Sequence, residues 1–127
     1  MVVVGTRVLK SEDLLKKANL LIVLEEGDPV VASIKEALIQ NKIREASIQS
    51  IDGKLKNGLI QFMEGNQLKS EEVKDVELLK ASGNFKLSAN ELFGRMNVST
   101  KKGKVYSGTL LKGTAKEGLE IKMSFFK

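Results

Sequence analysis

The sequence contains no cysteine and no histidine among its 127 residues, and these two absences remove the commonest catalytic and metal-binding chemistries. Without cysteine there is no disulfide, thiolate nucleophile or cysteine metal site, so we expect an intracellular, cytoplasmic protein. Without histidine there is no imidazole base, which excludes Ser-His-Asp triads and His-ligated zinc. The composition therefore excludes most of the common catalytic chemistries, and because no acid–base or nucleophile pair is marked in the sequence, we expect a protein that is not an enzyme and needs no cofactor.

Long apolar runs, aromatic residues and proline are scarce as well. No apolar stretch approaches the ~18 residues that span a bilayer, so we expect no membrane-embedded role. Met1 is followed by valines rather than by basic residues, which predicts no secretory signal peptide. One tyrosine and five phenylalanines are too few for a base-stacking platform. The length fits one domain, and no linker composition divides the chain.

Positive charge is abundant but unevenly distributed. Residues 1–94 hold 13 Lys and Arg against 14 Asp and Glu, whereas residues 95–127 hold 8 against 2, so the net charges of −1 and +6 add to the formal +5. A basic segment of this kind can attract phosphates or other anions. The alternative is that its lysines form the solvated face of a strand pair, because +5 is modest for a nucleic-acid-binding protein.

Periodicity predicts the elements of the first third of the chain. A β-branched strand over residues 2–9 and a short helix capped by Ser11 come first. The continuous apolar run at residues 20–24 then indicates a strand covered on both faces. Asp28 can cap a helix whose first residue is Pro29 and whose apolar spacing ends near Asn41. This is the one principal helix of the chain.

From Arg44 onward the pattern is almost entirely that of β-strands. Turn signals divide these strands at residues 52–53, 65–66, 88–90 and 101–103, and a loop is predicted at residues 113–118. The fold class is therefore α+β, as a single domain with a mostly antiparallel β-sheet and one principal helix.

An acidic cluster follows the predicted strand at residues 20–24. Glu25, Glu26 and Asp28 are close enough in sequence to bind a hard cation at a loop. We favour the alternative, in which the two glutamates end a strand and Asp28 caps a helix. Without His or Cys a metal site would use oxygen alone, which suits magnesium or calcium. An enzyme with an oxygen-only metal site is thus the second alternative to a binding protein.

The order of the elements also carries a family resemblance. Residues 24–28, the helix that contains Ser33 and residues 46–53 resemble the opening half of the plants-and-prokaryotes-conserved (PPC) domain. The second half is similar to that family through a strand that ends in Ser82-Gly83-Asn84 and through residues 93–99 and 105–110. The resemblance covers about residues 20–126, so the expected organisation is an N-terminal extension over residues 1–19 and a PPC-like domain over residues 20–127.

This resemblance implies an assembly as well as a fold. Members of the family form homotrimers, and in plants the domain accompanies AT-hooks in nuclear DNA-binding proteins. Stand-alone prokaryotic members are often described as DNA-binding because of that kinship. The implied function is a non-catalytic homotrimeric binding or assembly module in the cytoplasm of a prokaryote, with DNA as a candidate partner, although this chain contains no AT-hook.

Many family members place a His-x-His pair and a later Gly-His in a metal-binding pocket, and the corresponding positions here are Arg95, Asn97 and Thr109. These residues bind zinc poorly or not at all, so no family-type metal site is expected. Arg95 and Asn97 share one side of a predicted strand, and Thr109 lies on its neighbour. Together they can hold a phosphate or a carboxylate, which makes a small-anion-binding protein the first alternative function. Arg95 could instead form a salt bridge within the chain or at an interface.

Lys101, Lys102 and Lys104 crowd the predicted turn at residues 101–103. Long ammonium side chains at such a turn can reach phosphates, and a trimer would present three such turns. Contacts through lysine alone predict non-specific DNA binding that weakens steeply with salt. The alternative is an ordinary soluble hairpin.

Overall fold

The structure is a computed structural model that describes residues 17–102 and 104–126. Its elements follow in the order β1 (Lys17–Leu24), α1 (Val30–Gln40), β2 (Glu45–Glu64), β3 (Gln67–Ser88), β4 (Glu91–Lys102), β5 (Lys104–Ala115) and β6 (Leu119–Phe126). The strand and the short helix predicted upstream of residue 17 lie outside the described residues. No helix in the described part is long and apolar enough to cross a bilayer.

The six described strands form one antiparallel sheet that curls until it meets itself. Its order is β1-β6-β2-β3-β4-β5, and β2 pairs additionally with β5. The first half of β2 lies between β6 and β3, whereas its second half lies between β3 and β5. The predicted α+β fold, a mostly antiparallel sheet with one principal helix, is thus confirmed for the described residues.

The predicted turn at residues 52–53 is wrong, because β2 runs through it without a break. Gly53 pairs with Leu78 of β3, and the buried side chains of Ile51 and Leu55 lie on either side of it. Asp-Gly favours a turn locally, but its apolar neighbours gain more by staying in one strand against the core. The backbone bends at Gly53, where φ is +134° and an added Cβ would lie 2.9 Å from the Cα of Leu119.

The hairpin reversals occur where the sequence predicts them. Strands β2 and β3 are joined across residues 65–66, and β3 and β4 are joined across Ala89 and Asn90. Ala89 and Asn90 have φ values of +50° and +63°, as two-residue type I′ turns require. Lys102 pairs with Lys104, so β4 and β5 reverse at the predicted place.

The predicted loop at residues 113–118 is shorter than expected. Strand β5 continues to Ala115, because Gly113 and Thr114 still pair with Gly58 and Asn57 of β2. The hydroxyl of Thr114 also donates a hydrogen bond to Oδ1 of Asn57 at 2.9 Å. Long-range pairing with β2 therefore extends a segment whose glycine and threonine indicated a loop.

Helix α1 is not capped by Asp28, contrary to the prediction. Its N-cap is Pro29, whose carbonyl accepts a hydrogen bond from the Ser33 N–H at 3.0 Å. Pro29 is extended, so Asp28 lies one residue before the capping position. The Asp28 carboxylate instead accepts a hydrogen bond from the Glu25 N–H at 2.9 Å. It thereby closes the loop between β1 and α1.

Helix α1 ends in a Schellman motif with a lysine where glycine is usual. The Ile43 N–H donates to the Leu38 carbonyl at 2.9 Å, and the Lys42 N–H donates to the Ile39 carbonyl at 3.2 Å. Lys42 consequently has a φ of +56°, in the left-handed region that favours glycine. Ile43 and Leu38 are both buried, which supplies the hydrophobic contact of this motif.

The core lies between the inner face of the curled sheet and α1. Val30, Ile34 and Leu38 recur at helical spacing and are fully buried. Burial of each such side chain contributes about 1.5–3 kcal/mol. From the sheet, the fully buried large apolar residues are Leu55, Ile60, Val76, Met96, Leu119, Ile121 and Met123.

Strand β1 is covered on one face only, so the prediction of two covered faces is wrong for the single chain. Ile22 and Leu24 point into the core, whereas Leu21 and Val23 are 54% and 58% exposed. Among the residues that the structure describes, β1 is an edge strand that pairs with β6 alone, and α1 packs on its inner side. Two apolar side chains therefore remain in contact with water.

Candidate functional site

Two glycines stand where β3 and β4 pair at the candidate site, and a side chain at either one would collide with the backbone of the other strand. An added Cβ at Gly83 would lie 2.3 Å from the Arg95 carbonyl oxygen, and one at Gly94 would lie 2.1 Å from the Asn84 carbonyl oxygen. Their φ values, +153° and +127°, also favour glycine. Asn84 pairs with Arg95 in the register, and Ser82 pairs with Asn97. The glycines thus fix which polar residues of the two strands become neighbours.

Arg95 lies on the outer face of β4 and is exposed to solvent. Its neighbours Met96 and Val98 are buried, and strand alternation turns Arg95 and Asn97 together to the outside. No hydrogen bond or ion pair joins the Arg95 side chain to another residue that the structure describes. An intramolecular salt bridge is thereby disfavoured. The guanidinium keeps its donors for an external group.

Thr109 lies directly opposite Asn97 and holds its amide. The two residues are partners in the β4–β5 register, and Oγ1 of Thr109 donates a hydrogen bond to Oδ1 of Asn97 at 2.9 Å. This bond uses the hydroxyl proton of Thr109 and leaves the Asn97 amide group as a donor. The arrangement offers two donor groups, the Arg95 guanidinium and the Asn97 amide, and Thr109 positions the amide.

A second oriented amide lies beside Arg95, and the sequence alone did not single it out for the site. Asn84 is the strand partner of Arg95, and its Oδ1 accepts a hydrogen bond from the Ser47 hydroxyl of β2. The Asn84 amide group is therefore also free to donate. In the sequence, Asn84 belongs to the Ser82-Gly83-Asn84 segment, which indicated the family but did not indicate a binding site.

The positions Arg95, Asn97 and Thr109 do not fit a divalent metal ion. Arg95 brings a cation, the Asn97 carbonyl oxygen already accepts a hydrogen bond, and Thr109 donates its proton. Elsewhere in residues 17–102 and 104–126, no three or more acidic side chains come together in a way that could hold a metal ion. A metal ion therefore has no part in the chemistry we derive for these positions.

The acidic cluster after β1 holds two loops together. Oε1 of Glu26 accepts a hydrogen bond from the Glu117 N–H at 3.0 Å, and Oε2 lies 3.6 Å from Nζ of Lys56. Asp28 binds the Glu25 N–H, and the Ala115 N–H donates to the Asp28 carbonyl at 2.9 Å. These contacts tie the β1–α1 loop to β2, to the end of β5 and to the residues that follow β5. Glu26 and Asp28 thus act within the fold.

The three candidate phosphate-binding lysines lie where β4 and β5 meet. Lys101 is exposed and pairs with Glu77 of β3, while Lys102 pairs with Lys104 across the turn. The other described lysines of residues 95–127 lie on different elements: Lys112 on β5, Lys116 between β5 and β6, and Lys122 on β6. Lys116, for example, forms an ion pair of 3.1 Å with Asp75. The basic side chains of residues 95–127 are therefore divided among several elements of the fold.

An open cleft of about 1330 Å³ lies at the end of the sheet beyond the C-terminus of α1. Its walls come from residues 41–47, from the segment around the β3–β4 turn and from the end of β6. Asn84 lines this cleft, but its strand partner Arg95 does not. No sequence pattern indicated the cleft, because the segments that form its walls are far apart along the chain.

A family model matches most of the chain. The Plants and Prokaryotes Conserved (PCC) domain covers residues 15–124. The chain belongs to the PCC domain family. This confirms the family that the sequence motifs indicated, and a match of this extent includes the helix and nearly all of the sheet.

Solved structures share the PCC fold. A plant- and prokaryote-conserved protein from Pyrococcus horikoshii is 26% identical, with 89% of this chain and 82% of that chain covered and a TM-score of 0.74. A metal-containing protein from Archaeoglobus fulgidus is 24% identical, with 87% and 80% covered and a TM-score of 0.73. A candidate DNA-binding protein from Ralstonia eutropha is 19% identical, with 84% and 76% covered and a TM-score of 0.70. No protein of curated function matches this chain.

Proposed function

We propose that this PCC domain is a non-catalytic binding and assembly module that works as a homotrimer. The observation that supports assembly is the uncovered apolar surface of the chain. Leu21 and Val23 lie on the outer face of β1, and Met63 and Leu68, which are 59% and 62% exposed, pair across the β2–β3 hairpin. In a single chain these four side chains contact water, and association with further copies of the chain would bury them.

The proposal of a non-catalytic role rests on the three positions, Arg95, Asn97 and Thr109, where the family resemblance implies metal ligands. Arg95 contributes a fixed positive charge, and Asn97 and Thr109 are bonded to each other. This set can donate hydrogen bonds, but it supplies neither a base nor a metal-activated water. Binding is the chemistry that these groups support.

Size-exclusion chromatography with light scattering tests the assembly. A trimer has a mass of three times the 14.0 kDa of the chain, about 42 kDa. We expect Val23→Lys and Leu68→Lys to lower this mass, since each places a charge in the proposed contact. Glu36→Lys on the exposed side of α1 is the control and should leave the mass unchanged. A wild-type chain that stays at 14.0 kDa at micromolar concentration would refute the homotrimer.

A second candidate function, small-anion binding, is supported by the unpaired guanidinium of Arg95. The donors of Arg95 and Asn97 lie on one face of β4, and a phosphate or carboxylate can accept hydrogen bonds from both. Calorimetric titration with inorganic phosphate and with acetate tests this function. We expect Arg95→Gln to abolish binding and Lys112→Gln, an exposed cation elsewhere, to leave it unchanged. Equal binding by the Arg95→Gln variant would contradict this candidate.

Non-specific DNA binding is the third candidate, and the pairing of Lys102 with Lys104 next to the exposed Lys101 supports it. A mobility-shift titration at low and at moderate salt tests it, because phosphate contacts weaken with salt. Changing all three lysines to Glu should abolish the shift. The control triple variant carries the same charge change at exposed or half-exposed lysines elsewhere, Lys35, Lys54 and Lys80. If both triple variants weaken binding equally, the turn is not the contact surface.

A further inference from the structure

The cleft beyond the C-terminus of α1 combines cations with aromatic rings in a way that the proposed function does not use. Lys42 and Arg44 line it from the segment between α1 and β2, and Lys86 lines it from β3. Phe93 of β4 and Phe126 of β6 contribute two rings. We propose that this cleft binds a small organic anion with a planar apolar body, such as an aromatic carboxylate.

The positive charge of the cleft is only partly compensated. Lys86 forms an ion pair of 3.9 Å with Glu45, which also lines the cleft. Lys42 and Arg44 make no ion pair with any residue in the part of the chain that the structure describes. Two positive charges thus remain for a ligand. One carboxylate could contact either of them.

The segment that carries these two cations is held in place by backbone bonds. The Arg44 carbonyl accepts a hydrogen bond from the Leu87 N–H at 2.7 Å, and the Ile43 N–H is bound by the last turn of α1. Lys42 lies just before these two anchors, and its own N–H donates to the Ile39 carbonyl at 3.2 Å, which holds it in a left-handed conformation that is strained for a lysine. A backbone fixed in this way loses little conformational entropy when a ligand binds.

The phenyl rings of Phe93 and Phe126 favour a ligand with a flat apolar group. Phe93 is 57% exposed and Phe126 is 66% exposed, so each presents a wide apolar surface to the cleft. Exposed rings on two separate strands gain by stacking against a flat apolar group, which a bare phosphate or acetate does not have. An aromatic anion uses the rings and the cations together.

Polar side chains of β2, β3 and β6 add hydrogen-bond donors to the cleft. The Asn84 amide group is free to donate, because its oxygen accepts the Ser47 hydroxyl. Ser124 accepts a hydrogen bond from Nε2 of Gln49 at 2.7 Å, which leaves its own hydroxyl proton to donate. Asn84, Ser47 and Ser124 all line the cleft. An apolar wall with a few convergent polar groups is the usual composition of a small-molecule site.

Isothermal titration calorimetry with naphthoate as the probe tests the cleft, with neutral naphthalenemethanol and inorganic phosphate as comparison ligands. We expect naphthoate to bind at least about tenfold more tightly than either, because only naphthoate uses both the charge and the rings. Arg44→Gln and Phe93→Ala should each weaken naphthoate binding about fivefold or more. The controls Lys112→Gln and Leu111→Ala, a cation and an apolar residue outside the cleft, should change it less than about twofold.

Several results would overturn the proposal. Naphthoate and naphthalenemethanol could bind equally, the two control variants could weaken binding as much as the cleft variants, or naphthoate could fail to bind. Arg95→Gln separates this site from the anion candidate on β4, because a loss of naphthoate binding in that variant would assign the ligand to Arg95 and overturn the cleft. Light scattering on the same samples reports the assembly independently. A Phe93→Ala variant that loses oligomer mass but still binds naphthoate would assign Phe93 to an interface instead of the cleft.

Discussion

The buried hydroxyl of Thr100 gives the sharpest test of the fold. Thr100 is fully buried on β4, and its Oγ1 finds no hydrogen-bond partner among the described residues. Met96 and Val98 precede it on the same inward face, so the position belongs to an apolar row. Valine has the shape of threonine with a methyl group in place of the hydroxyl. We expect Thr100→Val to raise the free energy of unfolding.

The size of the effect follows from the desolvation of the hydroxyl. An unsatisfied buried hydroxyl costs about 1–3 kcal/mol in mutational data. Valine keeps the volume and the β-branched preference of threonine, so neither a cavity nor strand propensity offsets the gain. The expected gain is about 1–2 kcal/mol. With a urea dependence of about 2 kcal/mol per molar, the unfolding midpoint should rise by about 0.5–1 M.

Urea unfolding followed by circular dichroism measures this gain, and Thr109→Val is the matched control. The Thr109 hydroxyl is bonded to Asn97, so the same substitution there should lower the free energy of unfolding by about 0.5–1.5 kcal/mol. All samples need the same chain concentration, because the stability of an oligomer depends on it. If Thr100→Val left the midpoint unchanged or lowered it, the hydroxyl would have a partner and the reasoning would fail.

Three further substitutions test the backbone and the core by the same unfolding assay. Gly94→Ala should lower the free energy of unfolding by more than ~3 kcal/mol or abolish soluble expression, because its Cβ would lie 2.1 Å from the Asn84 carbonyl oxygen. Gly65→Asn is the control: a Cβ there would meet no atom within 4 Å, so the free energy of unfolding should change little. Lys42→Gly should raise stability by about 0.5–1 kcal/mol by relieving the left-handed conformation, and an unchanged midpoint would count against that strain. Leu38→Ala should cost about 2–5 kcal/mol through the cavity it leaves in the core, and a loss below ~1 kcal/mol would contradict its full burial.

Local sequence determined the type of most elements and the places where the chain reverses. Alternation after Arg44 predicted strands because side chains of a strand alternate between two faces, and the structure has strands there. The hairpin at residues 65–66 followed from Gly65 and the β3–β4 turn followed from Asn90, since glycine and asparagine tolerate the positive φ that both residues have. The sequence also predicted the family, because the segments typical of that family occur in the same order along this chain. The family model, which covers residues 15–124, confirms this prediction.

Local sequence patterns gave wrong predictions for segments whose secondary structure depends on residues far away in the chain. The Asp-Gly pair at residues 52–53 stays in a strand because buried neighbours hold both sides of it against β3 and β6. Gly113 and Thr114 pair with β2, which no nearby residue indicates. Asp28 turns to Glu25 because Pro29 takes the capping position.

The candidate site was predicted in part, because two of its residues lie on one strand and the third on the next. Alternation alone placed Arg95 and Asn97 on the same side of one strand. Only the β4–β5 register showed that Thr109 faces Asn97 and donates its hydroxyl proton to the Asn97 side-chain oxygen. The neighbouring cleft gave no signal, since Arg44, Phe93 and Phe126 are far apart in sequence. Periodicity reports which side of its own element a residue occupies, whereas the closing of the sheet through β2 decides which distant residues share a surface.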